Sequence, residues 1–343
     1  MIRYKCTVAY DGSAYCGWQS QRRGDSVQEK IEEALQNITN RKINILAAGR
    51  TDAGVNAWGQ VFHFDTDLRM SERKWQGAIN GFLPKDIHIR KVEEVSSLFH
   101  ARYCVRAKRY DYTVNLGEYD VFSRNHAYQC PYPVDVERMK AAAAYLVGTH
   151  DFTSFNSNTL RETPDQVRTI YSIDFAQNGS LLTISFYGRG FLRYMVRMMT
   201  AQILEAGRGR IEPEDIRTIL EKKSKTVSRR NAKPEGLTLY RVDYFEVIAE
   251  NESVIVREYL PEDGLEGSQL HQFEQLVKEK KMPRYYALAD RHSQKVYGCA
   301  EINDGIVVHA CSHEKDQDLD DILRQLSEYG NGCGVQVKYP ENK

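Results

Sequence analysis

The hydrophobic periodicity of residues 1–250 passes twice through one order of strand-like and helix-like segments. That repetition points to two α+β units meeting at a shared cleft. In the first pass, residues 3–9 alternate as a strand, Asp11-Gly12-Ser13 signals a turn, and Asp25-Ser26 caps a helix over 27–35. Strand-like stretches at 43–47 and 60–64 enclose the loop Gly49-Arg50-Thr51-Asp52-Ala53-Gly54, and a helix over 72–82 leads to a strand at 87–92. In the second pass, 109–115 reads as a strand and 136–146 as an Ala-rich helix. Strands at 168–176 and 181–187 pair around Gln177-Asn178-Gly179, and a long helix follows over 190–205. A helix at 213–222 and a strand at 239–247 complete the unit.

Length agrees with more than one domain, since 343 residues exceed the roughly 250–300 at which single cores stop growing. After the linker-like Glu250-Asn251-Glu252-Ser253, residues 254–343 carry their own alternation: helices at 269–281 and 318–329, and strands at 285–289, 295–302 and 305–310. The expected division is 1–105 and 106–250 for the two halves of the core and 251–343 for a small accessory α+β domain. The net charge of zero conceals an asymmetry, because residues 251–343 hold 11 Lys+Arg against 17 Asp+Glu, leaving residues 1–250 at +6. A basic body with an acidic appendage suits a polyanion-binding domain and a separate module.

No apolar run approaches the roughly 18 residues of a membrane helix, and the N-terminus lacks the apolar core of a signal peptide, so a cytoplasmic protein is expected. The seven cysteines never form a CxxC pair and the histidines form no HxH pair, which predicts reduced thiols and no structural metal. No GxxxxGK or GxGxxG loop follows a strand, so nucleotide-dependent chemistry has no support.

Three local features can carry chemistry. Asp52 sits on a loop with glycines at 49 and 54, where a carboxylate projects into a cleft, although loop grammar alone favours a polar turn. Ala107-Lys108-Arg109-Tyr110-Asp111-Tyr112 places Lys108, Tyr110 and Tyr112 on one strand face and Arg109 and Asp111 on the other. A cationic strand with interleaved tyrosines can bind phosphates and stack bases, while strands also hold tyrosine for packing alone. On the helix expected through 191–199, Arg193 and Arg197 are four apart and share a face, repelling each other unless an anion intervenes. Arg197, among methionines and valine, needs an anionic partner if buried.

Taken in order, these residues resemble the TruA family of tRNA pseudouridine synthases: Tyr10-Asp11-Gly12, Gly17-Trp18-Gln19, and Gly49-Arg50-Thr51-Asp52-Ala53-Gly54-Val55. Next come Asn80 with Leu83-Pro84 and Asp86-Ile87, Phe99-His100-Ala101-Arg102, and Lys108-Arg109-Tyr110-Asp111-Tyr112. His150-Asp151-Phe152 with Phe155, Phe191-Leu192 with Met195-Val196-Arg197, and Gly236-Leu237 with Leu239 close the series, which covers about residues 1–248. The resemblance implies an α+β fold of two similar halves forming one continuous, mainly antiparallel sheet with a central catalytic cleft. It implies an isomerase that converts uridine to pseudouridine in the anticodon arm of tRNA, needs no cofactor, and works as a homodimer. The same chemistry on ribosomal RNA, or non-catalytic RNA binding or folding, are the alternatives.

Carried over to this chain, the resemblance makes Asp52 the catalytic carboxylate, Tyr110 the active-site tyrosine, Arg197 the partner of Asp52, and Arg50 the residue that holds the flipped base. Lys108, Arg109, Arg189 and Arg193 are expected to bind substrate, with Arg22, Arg23, Arg229 and Arg230 as further phosphate contacts. Two departures stand out. The family's Gly-Val-His-Ala reads Gly54-Val55-Asn56-Ala57 here, which bears on substrate choice more than on chemistry, and the acidic extension after residue 250 is foreign to a typical bacterial member.

Overall fold

In the computed structural model, the described residues are 1–21, 24–97, 99–228, 230–245, 247–250, 254–258, 284–290, 296–303, 306–312 and 336–337. The expected helices at 269–281 and 318–329, and Arg22, Arg23 and Arg229, lie outside them. The chain forms two compact units, one of residues 1–95 with 105–243 and the other of 96–104 with 244–343.

The first unit begins with β1 (Ile2–Tyr10), whose inward Tyr4, Cys6, Val8 and Tyr10 alternate with half-exposed neighbours. Helix α1 (Val27–Thr39) starts at Ser26, which accepts from the Glu29 amide and donates to its carboxylate, a reciprocal cap, and ends at Asn40 in the left-handed region. Then follow β2 (Leu46–Ala47), β3 (Asn56–Thr66), α2 (Glu72–Phe82) and β4 (Ile87–Val95). Trp75 of α2, fully buried, meets Tyr4 and Phe64 with ring centroids 5.5 and 5.1 Å apart, fastening the helix to one face of β1 and β3.

The second half supplies β5 (Val105–Asn115), β6 (Tyr128–Gln129), α3 (Val136–Ala144), β7 (Gly148–Asp151), β8 (Val167–Asn178) and β9 (Leu181–Gly188). It continues with α4 (Met195–Gly207), α5 (Asp215–Glu221) and β10 (Leu237–Tyr244). Ten strands form one sheet in the order β4-β1-β3-β10-β5-β9-β8-β7, with β2 beside β3 and β6 beside β5. Its pairings are mainly antiparallel; β10 runs parallel to β3 with Thr238 opposite Asn56. Strand β10, last in this unit's sequence, therefore lies at the seam between β3 of the first half and β5 of the second.

The long helix differs from its expected bounds. It begins at Met195 rather than 190, because Tyr194 adopts φ +62°, a conformation no α-helix contains. It ends as the Gly207-Arg208-Gly209 signal predicts: Gly209, at φ +68°, donates to Ala206 O, and Arg210 donates to Glu205 O. The expected strand at 43–47 contracts to Leu46–Ala47, since Ile43 and Ile45 are buried without pairing and the Ile45 amide donates to the Glu32 carboxylate instead.

In the second unit, β11 (Val247–Glu250), β12 (Val254–Glu258), β13 (Arg284–Asp290), β14 (Val296–Asn303), β15 (Ile306–Ser312) and β16 (Gln336–Val337) form a sheet in chain order. The first five are antiparallel neighbours, and β16 joins β15 in parallel. The strands expected at 285–289, 295–302 and 305–310 correspond to β13, β14 and β15.

Candidate active site

The loop ahead of β3 is tied down by its backbone. The Ala48 amide donates to Val61 O at 2.8 Å, and Lys108 Nζ donates to Ala48 O at 2.9 Å. Gln60 Nε2 donates to Gly49 O at 2.9 Å, and the Trp18 amide to Thr51 O at 3.2 Å. Thr51 Oγ1 shares a buried 2.7 Å hydrogen bond with the Tyr10 hydroxyl. Gly54 turns at φ +77°, and a methyl group there would stand 3.0 Å from Pro234 Cγ. The loop conformation thus leaves Asp52 little choice of direction.

Arg197, in the first turn of α4, meets that carboxylate. Its Nη1 donates to Asp52 Oδ2 at 3.2 Å, with side-chain exposures of 13% and 22%, a sheltered pair. Its Nε donates to Ala232 O at 2.8 Å, and the Ala232 amide returns a 3.0 Å bond to Arg197 O. Burial pushes the Asp52 carboxyl above the usual aspartate range, while Arg197 and, at longer range, Arg193 pull it back down. Tyr110 of β5 is buried beside Phe191, edge to face with centroids 5.2 Å apart. Burial first, then the charges of Tyr10 and Asp52, push its phenol well above the tyrosine range, so it is neutral at physiological pH.

The structure brings together Asp52, Arg197 and Tyr110 where the two halves meet. Arg50 is exposed on the same loop and makes no hydrogen bond or ion pair among the described residues. Lys108 is half-buried, with its ammonium on the loop carbonyl and against Gly49. Arg109 faces the other way: it grips Asp111 through Nε (2.8 Å) and Nη2 (3.1 Å), donates to Ser185 Oγ, and lies 4.5 Å over the Tyr240 ring. Arg189 follows β9 with its amide on Thr169 O.

Arg193 stands apart from the helix on which it was expected. It is exposed in the loop before α4, its amide on Asn158 Oδ1, so it and Arg197 do not share a helical face. The anion their spacing called for is Asp52, which both influence. Arg230 pairs with Glu205, which also binds Arg208 and Arg210. Asn56, in place of histidine, is buried: it accepts from the Gly12 amide and donates to Asn125 O and Glu235 O. One acceptor and two donors match an amide, whereas a neutral imidazole offers one of each.

Tyr10, Thr51, Gln60, Tyr194 and the Ala232 carbonyl support the site without having been singled out as site residues. A backbone carbonyl 35 residues from Arg197 leaves no mark in sequence. Among the described residues, no group of three or more His, Cys, Asp and Glu could hold a metal, and no helix is long and apolar enough to cross a membrane.

Comparison with known proteins identifies the family. Residues 7–104 and 142–245 match the family described as tRNA pseudouridine synthase. The tRNA pseudouridine synthase A of Anoxybacillus flavithermus is 45% identical over 245 residues, covering 71% of this chain and 99% of the relative. The tRNA pseudouridine synthase A 1 of Bacillus cereus is 44% identical over 246 residues, with 71% and 99% covered. The tRNA pseudouridine synthase A of Oceanobacillus iheyensis is 45% identical over 248 residues, with 72% and 98% covered. With nearly the whole length of such relatives matched, and the sheltered Asp52–Arg197 pair standing where the halves of the sheet meet, this chain belongs to the tRNA pseudouridine synthase family.

Proposed function

We propose that the protein isomerises uridine to pseudouridine in the anticodon arm of tRNA, with Asp52, Tyr110 and Arg197 as its catalytic residues. The observation that carries the reading is the sheltered Arg197–Asp52 ion pair beside the buried Tyr110, in a chain so similar to proteins named for this reaction. The target base leaves its stack, at a cost of a few kcal/mol, and exposed Arg50 holds it out. Asp52 attacks C1′ or otherwise activates the nucleoside as the bond from C1′ to N1 breaks. The freed uracil turns, C5 bonds to C1′ and releases the Asp52 carboxylate wherever it had bonded there, the C5 proton is lost, and N1 ends protonated, so no electrons are exchanged with an outside reagent. Tyr110 assists departure of the C5 proton as a neutral phenol that passes its own proton on. Arg193, Arg189, Lys108 and Arg109 form the basic surroundings; Lys108 also braces the catalytic loop and Arg109 is engaged with Asp111.

The protein acts in the cytoplasm as a homodimer, with residues 1–105 and 106–250 as the halves of the core and 251–343 as an accessory domain. Sedimentation equilibrium giving twice the 39.5 kDa chain mass supports the dimer, and a single chain mass overturns it. For the activity, RNA tritiated at C5 of uridine is offered as unmodified tRNA or as ribosomal RNA. Tritium release from tRNA that disappears in Asp52→Ala is the expected result. Release from ribosomal RNA alone moves the target, and release from neither overturns the isomerase reading.

A further inference from the structure

Helix α4 begins on a residue whose backbone and side chain are poorly matched. Tyr194 adopts φ +62° and ψ +1°, a region that glycine and asparagine enter far more readily than an aromatic residue. Asn40 and Lys223 share positive φ among the described non-glycine residues, but both lie at helix C-termini, where that conformation is ordinary. Tyr194 stands at a helix start and makes no side-chain capping bond, so capping does not account for it. Its ring is flanked by two cations, with Arg193 Cζ at 5.2 Å and Arg197 Cζ at 5.3 Å from the centroid.

Arg197 has need of such a contact. Arg3 binds Asp65 through Nε and Nη2, both at 2.8 Å, a fork that sets its own direction. Arg197 spends Nε on Ala232 O and reaches Asp52 through Nη1 alone, at 3.2 Å. A single contact of that kind leaves the guanidinium free to pivot about Nε unless something meets its face.

We propose that Tyr194 is a positioning residue of this site, its ring turned by the left-handed backbone to hold the Arg197 guanidinium against Asp52. The catalytic consequence rests on the isomerase reading; the positioning itself does not. Asp52 is faced by Arg197 from α4, by Arg193 from the preceding loop and by Tyr110 from β5, and the two arginines oppose the effect of burial. Without the ring, Arg197 pivots away and the carboxyl holds its proton to higher pH.

The test follows the Asp52 carboxyl by carbon-13 NMR in the full chain, assigned with Asp52→Asn, beside tritium-release kinetics on tRNA. Tyr194→Leu removes the π face, Tyr194→Phe keeps it, and Tyr194→Gly removes it while relaxing the backbone. In Tyr194→Leu and Tyr194→Gly the titration midpoint rises and kcat falls roughly three- to tenfold, the equivalent of one cation–π contact, with KM little changed. Tyr194→Phe matches the parent. If Leu unfolds the chain, Gly carries the comparison. An unmoved midpoint in the ring-less variants, or one that moves equally in Phe, overturns the proposal. A parent that shows the expected titrations but no tritium release overturns the isomerase reading alone.

Discussion

Asp52 works against its surroundings, because burial favours its neutral form while Arg197 and Arg193 favour its charge. The balance leaves its pKa above that of aspartate in the unfolded chain. The folded state therefore binds this proton more tightly, and the stability so gained is complete below the unfolded value and lost as pH rises through the folded one. If the ionised form reacts, the acid limb of kcat/KM lies above the ordinary aspartate range. Arg197→Gln, which removes the larger opposing charge, is expected to move that limb further up, whereas Arg197→Lys moves it less; a pH–rate profile of tritium release checks both. Asp52→Asn is expected to lower kcat by about 10²–10⁴-fold or more while tRNA affinity in a filter-binding assay changes little. Equal loss of both would make Asp52 a structural residue. The Asn56 amide, with its one accepted and two donated bonds, shows that the departure from histidine serves as a tie among three backbone segments.

At the scale of elements, the loop that carries Asp52 is rigid because neighbouring backbones crowd it. A methyl group on Gly12 would overlap the Val55 carbonyl, three residues from Asp52, and the Gly12 amide also donates to Asn56. Gly12→Ala is expected to destabilise by about 1–3 kcal/mol, as overpacking does, and to reduce kcat through the displaced loop. Urea melts read with single-turnover kinetics check this, and a variant with parental stability and rate would show that the loop yields freely. Elements with strong local signals were legible in sequence: α2 spans 72–82 as its spacing predicts, and Ser26 and Gly209 mark helix ends as their types suggest. The late start of α4 was not legible, since residues 191–193 keep helical spacing and nothing local requires Tyr194 to turn left-handed. Nor was the contraction of β2, whose buried isoleucines fit the core whether or not they pair. The ion pair joins residues 145 apart, a separation that no periodicity encodes, so its legibility came from the ordered motifs of a family.

For the whole molecule, the question is where the folding unit ends. The first unit closes on itself through β10, which lies between β3 and β5 and binds the two halves into one sheet by residue 244. Contacts of the second unit that involve residues 96–104 also begin before residue 250. The Tyr244 hydroxyl donates to Ala101 O at 2.9 Å, the Phe245 amide to Cys104 O at 2.8 Å, and the rings of Phe99 and Tyr244 meet at a tilt with centroids 4.8 Å apart. A chain cut after residue 250 keeps every one of these bonds, and relatives of about that length match the chain over nearly their whole sequence. It also sheds a segment carrying six net negative charges, leaving a body at +6. Residues 1–250 alone are therefore expected to unfold cooperatively and to keep isomerase activity. Their affinity for tRNA should rise, with a steeper dependence on salt, because the acidic segment no longer opposes the attraction to phosphates. Thermal unfolding by circular dichroism and binding from 50 to 200 mM salt decide it. An insoluble or non-cooperative fragment would show that the extension belongs to one folding unit with the core, and unchanged affinity and salt slope would show that its charge does not act on the RNA.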